Sequence, residues 1–335
     1  MPLAPVQPIS ALVSHLVATP VFPGYFPVAR LGTLHAARVA VVWAGMTKSK
    51  RVARREKVGM MGDLFGYLML CWGGGTVVPM LLGQPPAWLL TSTPWYTYLP
   101  IYLLLVPTGL AEYFHSTCPA LLYNVGGALI DGITRGTSIC ALPSAIAAAR
   151  LPATAWTTAV LGGVAMTGGG FLVQLMGLHQ EDWRLGMPTI LKGGVLNTLD
   201  FWGGMLGAIL YAALLRRTDE LAPLSKLLGR VLPADLLVRQ SPMSAHGGEM
   251  MVRETARGLV VFFLASLFLA RVITLAVLSP RPVLGQAKKM DKEEKEIVEA
   301  VLHEKVGAVQ GGEGPATRAR SRAGTPKKSP KVKSS

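Results

Sequence analysis

The stretch TAWTTAVLGGVAMTGGGFLVQLMG, residues 154–177, decides the fold. It is long enough to cross a bilayer, carries no charge, and contains the triplet Gly168, Gly169 and Gly170. An earlier stretch, GYLMLCWGGGTVVPMLLG at residues 66–83, repeats the pattern with Gly73, Gly74 and Gly75. The echo continues downstream. Trp88 follows the first triplet at the distance at which Trp183 follows the second, and Pro94 and Pro188 come after at nearly the same spacing. Glycine is a poor residue for a helix interior, so each triplet marks a weak point in its span. Two of them in register predict a duplicated unit, each copy holding one broken helix.

Composition sets the class. Half of the 335 residues are hydrophobic, and several windows reach the roughly 20 apolar residues needed to cross a hydrocarbon core of about 30 Å. The net charge of +14 is concentrated in one short loop and in the tail, which reads as orientation signals and not as a nucleic-acid face. Cys71, Cys118 and Cys140 have no CxxC spacing and read as buried thiols, with neither a metal site nor a disulfide framework. The six histidines are scattered, and no metalloprotease, nucleophile-elbow or phosphate-loop motif occurs. The expectation is a polytopic membrane protein that is not an enzyme and needs no cofactor.

In chain order, residues 1–26 form an amino-terminal segment whose apolar part, 9–21, is too short to span and lacks the features of a secretory signal. A first span covers about 27–45, less apolar than most because of Arg30 and Arg38. The loop MTKSKRVARREKVG follows, and its packed lysines and arginines place it in the cytosol. Further spans are expected near 59–82, 96–114, 119–149, 154–177, 188–215 and 257–278. Residues 27–115 then form one three-helix repeat and 116–215 a second. The loop 216–255 is luminal, and its DELAPLSKLLGRVLPADLLVRQ reads as a short amphipathic surface helix. A seventh helix occupies 256–279. The tail, 280–335, is basic, cytosolic and largely disordered.

Three spans per copy force the second copy to enter the membrane inverted relative to the first. Inverted repeats with interrupted helices suit the movement of small solutes or ions, and freed backbone carbonyls replace part of a cation's hydration shell. The plainer reading is that the glycines let helices pack closely. The register-matched pair favours the pore. Charges inside spans are costly and usually face a partner or a cavity. Arg271 lies deep in the seventh span, with Asp200 as its first candidate counter-charge and Asp131 as the second; an ion pair and a gating role both remain open. Lys192, one turn beyond Pro188, is either an intramembrane charge or a snorkelling side chain.

These residues resemble the trimeric intracellular cation (TRIC) channel family, as a divergent member. The likeness covers about residues 19–278: TPVFP near the start, GGGTVVPMLLG, Pro107 and Pro119 across the third loop, and GGGFLVQLM followed by Asp182-Trp183 and Met187-Pro188-Thr189. FLARVITLA places Arg271 where the family carries a basic residue. The resemblance implies a homotrimer with a pore in each protomer, lined by the kinked second and fifth helices. It implies potassium-selective, sodium-permeable conduction across the endoplasmic reticulum membrane, and the nuclear envelope continuous with it, balancing charge during calcium release. One departure matters. The family's phosphoinositide-binding lysine in the fourth span falls on Ala128, or on Asp131 if a gap is inserted, and its next basic position falls on Gly132. Arg135 is the nearest substitute, and no lipid-site residue is carried across. The alternative to a channel is a secondary transporter or lipid-handling protein on the same repeats, with a paired acidic site as its signature. Lys331 and Lys333, near the end of the tail, resemble a dilysine retrieval signal, an address and not an anchor.

Overall fold

The computed structural model describes residues 6–48, 51–237 and 249–278; the whole of the expected tail, with Lys331 and Lys333, lies outside them. The described chain is predominantly helical. A short helix α1 (Val6–Ala18) leads into a hairpin of β1 (Pro20–Phe22) and β2 (Phe26–Ala29), then α2 (Arg30–Thr47) and α3 (Arg51–Leu81). Next come α4 (Ala87–Leu90), α5 (Thr93–Leu105), α6 (Leu110–Thr117), α7 (Ala120–Ile139) and α8 (Leu142–Ala148). The chain continues through α9 (Ala155–Leu175), α10 (Leu199–Leu214), α11 (Ala222–Val231) and α12 (Arg253–Leu278).

Three helices among the described residues are long and apolar enough to cross a membrane: Lys57–Leu81, Ala155–Leu175 and Arg253–Val277. A fourth is gained if α10 and the bent segment after it count as one span. The other expected spans depart from uninterrupted apolar helices for specific reasons. Helix α2 carries Arg30 and Arg38. The third span divides into α5 and α6, because Pro107 has no N–H to continue the ladder and Gly109 sits at φ 83°. The fourth divides into α7 and α8, and α7 carries Asp131 and Arg135. The sixth starts at Leu199 and not at Pro188. Gly193 and Gly194 take φ of 76° and 91°, a conformation no helix accepts.

Helix α9 lies between α3 and α10. It runs antiparallel to α3. Tyr67 and Leu68 of α3 share a buried cluster with Val173 and Leu178, whereas Val78 and Leu82 share another with Leu161 and Met166. The crossing is symmetric in its contacts. A Cβ on Gly73 would collide with Gly169 Cα, and one on Gly168 with Gly74 Cα. A Cβ on Gly74 would overlap the Ala165 carbonyl oxygen, and one on Gly169 the Leu70 carbonyl oxygen. Each contact therefore has a counterpart with the two triplets exchanged. Similar small-residue contacts join Gly162 to Gly204, and Gly132 and Gly136 to Ala265 and Val261 of α12.

Contacts sort the helix ends into two groups. In one, Gly45 of α2 abuts His115 of α6, whose ring lies 5.0 Å from that of Tyr123 at the start of α7. The start of α3 joins them, since Trp43 of α2 donates to Asp63 of α3 at 3.1 Å, and Lys57 lies 3.6 Å from Glu181 just beyond α9. In the other group, Ser10 Oγ of α1 donates to the Glu254 carbonyl at 2.9 Å, and Arg257 donates to Ser14 Oγ at 3.1 Å. There too the Ala155 N–H, at the start of α9, donates to Glu220 at 2.7 Å. Helix α9 starts in the second group and ends in the first. So does α2, whose Arg30 meets His15 of α1 at 2.9 Å.

Candidate functional site: a cavity beside the glycine crossing

The triplets do not break their helices. Helix α9 keeps helical geometry through Gly168, Gly169 and Gly170, and the non-helical residue inside α3 is Gly59, far from Gly73, Gly74 and Gly75. The expectation of two interrupted helices is thus corrected. With partner backbones this close, the missing Cβ atoms allow approach, and each helix keeps helical dihedrals through its triplet, although Pro79 of α3 has no N–H to offer the Gly75 carbonyl. No helix break frees carbonyls at either triplet; at the cavity wall it is Pro79 that leaves the Gly75 carbonyl without its i+4 donor.

The third glycine of each triplet behaves differently. A Cβ on Gly75 or Gly170 would meet nothing within 4 Å. Both line a cavity of about 570 Å³ walled by α2, α3, α4, α5, α7, α8 and α9, the start of α10 and the turn at Thr189–Lys192. At its aromatic end Trp72 stacks on Trp88, with ring centroids 6.1 Å apart, and meets Tyr98 edge-on. His35 Nδ1 lies 2.8 Å from the Tyr98 hydroxyl. Gln174, also in the lining, accepts from the Thr189 N–H at 2.6 Å, pinning the turn beyond Pro188 to α9.

Four charges line the cavity as well, and they are paired. Arg38 grips Asp131 with two hydrogen bonds, Nε to Oδ1 at 3.2 Å and Nη2 to Oδ2 at 3.1 Å, and donates to the Tyr123 hydroxyl at 3.0 Å. Asp200 is held from both sides. Its Oδ2 lies 3.1 Å from Arg135 Nη1, and its Oδ1 lies 2.9 Å from Arg271 Nη1. Both guanidiniums rest over the Phe268 ring, 5.6 and 5.3 Å from its centre. Arg38, Asp131, Arg135 and Asp200 face the cavity, whereas Arg271 stands outside its lining. The four lining charges cancel, and with Arg271 behind them the linked groups hold three cations against two carboxylates, each already engaged.

Charge chemistry read from the sequence finds Asp200 and Arg271 together. Asp131 is not in that pair; its partner is Arg38. Arg135, set aside as a lipid-site substitute, is the second partner of Asp200. Each of these charges sits in a helix that must bury it, which demands a counter-charge; which helix supplies it depends on packing angles that periodicity does not encode. Lys192 ends an exposed turn, Thr189–Lys192, ahead of α10 and not within it. The cysteines are half-buried free thiols. Among the described residues no group of three or more His, Cys, Asp or Glu side chains is placed to hold a metal. Neither the protein-family models nor the curated proteins give a match to this chain.

Proposed function

We propose that the chain is a polytopic membrane channel that conducts monovalent cations, potassium among them, through the cavity beside the α3–α9 crossing. The carrying observation is that Gly75 and Gly170, equivalent in the two copies, both present bare backbone to one cavity. A solute path at the interface of two inverted copies is the arrangement used for small ions. Seven crossings, as two inverted three-helix repeats and a last helix, accord with the alternation of helix ends between two groups. The resemblance to the trimeric intracellular cation channels supplies the rest of the reading: a homotrimer in the endoplasmic reticulum membrane, its carboxyl terminus cytosolic, carrying counter-ion current during calcium release. Arg271 would then move with the field only if its bond to Asp200 opens.

Purified protein in a planar bilayer under a potassium gradient tests the proposal. Discrete unitary currents are expected, and Gly170→Leu should lower their amplitude several-fold, since the side chain projects into space that ions would use. Electrically silent exchange would replace the channel by a secondary transporter built on the same repeats.

A further inference from the structure

Helix α11 leaves the line of α10 at an angle of 95° and is fixed from within. Ser225 Oγ donates to the Ala213 carbonyl at 2.7 Å, and Leu224 and Leu228 pack against Ala212, Ala213 and Leu221. Pro223, Leu227 and Val231 recur every four residues and so form one ridge. That ridge is bare, with Leu227 56% and Val231 73% exposed. Beside it, on the side away from the buried face, run Lys226 and Arg230, again four apart and exposed. Around its circumference the helix thus shows a buried strip, a bare apolar strip and a basic strip.

Its level in the molecule is fixed by its neighbours. Glu220, two residues before α11, accepts from the N–H of Ala155 at 2.7 Å, so α11 begins where α9 begins. Trp156, the next residue of α9, is 72% exposed there. Arg217 pairs with Glu249 at 2.7 Å, just ahead of α12. Tryptophan and basic side chains collect at the boundary between hydrocarbon and headgroups. A helix turned across the spans at that level lies in the membrane plane.

We propose that α11 is an interfacial anchor. Pro223, Leu227 and Val231 enter the acyl boundary of the adjoining leaflet, and Lys226 and Arg230 bind the phosphates of anionic lipid headgroups. An apolar ridge flanked by cations is what such a surface holds. A free phosphate would satisfy the cations and leave the ridge in water. A second copy of α11 would cover the ridge and set cations against cations. The proposal rests on the membrane reading of the spans and not on conduction.

The test uses full-length protein with Cys71, Cys118 and Cys140 replaced by alanine, reconstituted in vesicles of phosphatidylcholine with phosphatidylglycerol. An environment-sensitive fluorophore is attached at Leu227→Cys, at Val231→Cys, or at Ile273→Cys, a 53% exposed residue of α12 that serves as the span control. Brominated lipids quench it according to depth. The α11 probes should be quenched by shallow bromines and the Ile273 probe by deep ones. Brominated phosphatidylglycerol should quench the α11 probes roughly two- to five-fold more strongly than brominated phosphatidylcholine, and Lys226→Gln with Arg230→Gln should abolish that preference. Unquenched α11 probes beside a quenched Ile273 probe would overturn the anchor alone. An unquenched Ile273 probe would overturn the membrane reading and the anchor with it. Quenching without any lipid preference would overturn the headgroup site.

Discussion

A methyl group added to Gly74 would overlap the Ala165 carbonyl oxygen, whereas one added to Gly75 would meet nothing within 4 Å. The two residues are adjacent in one helix, so propensity alone would treat them alike; alanine at either gains about 1 kcal/mol of helix preference over glycine. At Gly74 that gain is overwhelmed, because backbone cannot step aside and overpacking costs roughly 1–3 kcal/mol. Gly74→Ala and its counterpart Gly169→Ala should lower the thermal unfolding midpoint in detergent. Gly75→Ala and Gly170→Ala should leave it unchanged or raise it. Equal effects at all four positions would mean that the crossing is looser than these contacts require. The triplets were legible as a pair because the pattern repeats in register. Whether a glycine run bends its helix or admits a neighbour was not legible, since the same missing Cβ permits both and only the partner decides.

Helices α7, α10 and α12 meet at Asp200, which takes Arg135 on one oxygen and Arg271 on the other. The apolar runs show these helices, and a charge in each demands a partner, so Asp200 with Arg271 could be read in advance. Arg38 with Asp131 could not, because it depends on how α2 and α7 are rotated about their axes. The start of α10 was misplaced for another reason: residues 188–198 are apolar enough to pass as span, and only the positive φ of Gly193 and Gly194 ends it. The three side chains at Asp200 are 26–29% exposed, between a surface pair and a buried one. Asp200→Asn leaves two guanidiniums without a counter-charge and should cost about 2–3 kcal/mol. Arg271→Gln leaves Asp200 with Arg135 and should cost less. Adding Arg271→Gln to Asp200→Asn should recover part of the loss, because it removes one stranded cation. Urea or thermal unfolding of the three variants measures this, and strict additivity would show that the contact is energetically idle.

At the scale of the whole molecule, the contacts assign loops to sides. Lys57, which precedes the apolar part of α3, pairs with Asp182 beyond α9 at 3.5 Å, so the first basic loop and the α9–α10 connection share a side. Ser92 lies past the far end of α3, which is a 25-residue apolar helix from Lys57 to Leu81 and therefore long enough to separate the two ends by a bilayer. Lys226 belongs to the group that holds the start of α9, again the opposite side from Asp182. Single cysteines at these four positions, in the chain with Cys71, Cys118 and Cys140 replaced by alanine, turn that sorting into a measurement. In sealed vesicles carrying the protein in one orientation, a membrane-impermeant maleimide should label Lys57→Cys and Asp182→Cys together. It should label Ser92→Cys and Lys226→Cys only from the other face or after permeabilisation. All four side chains are accessible in the folded chain, so a silent position reports its compartment and not burial. Labelling of Lys57→Cys and Ser92→Cys from one side would mean that α3 does not cross. The proposed inversion of residues 116–215 relative to 27–115 would then fail, and the proposed path would have no membrane to traverse.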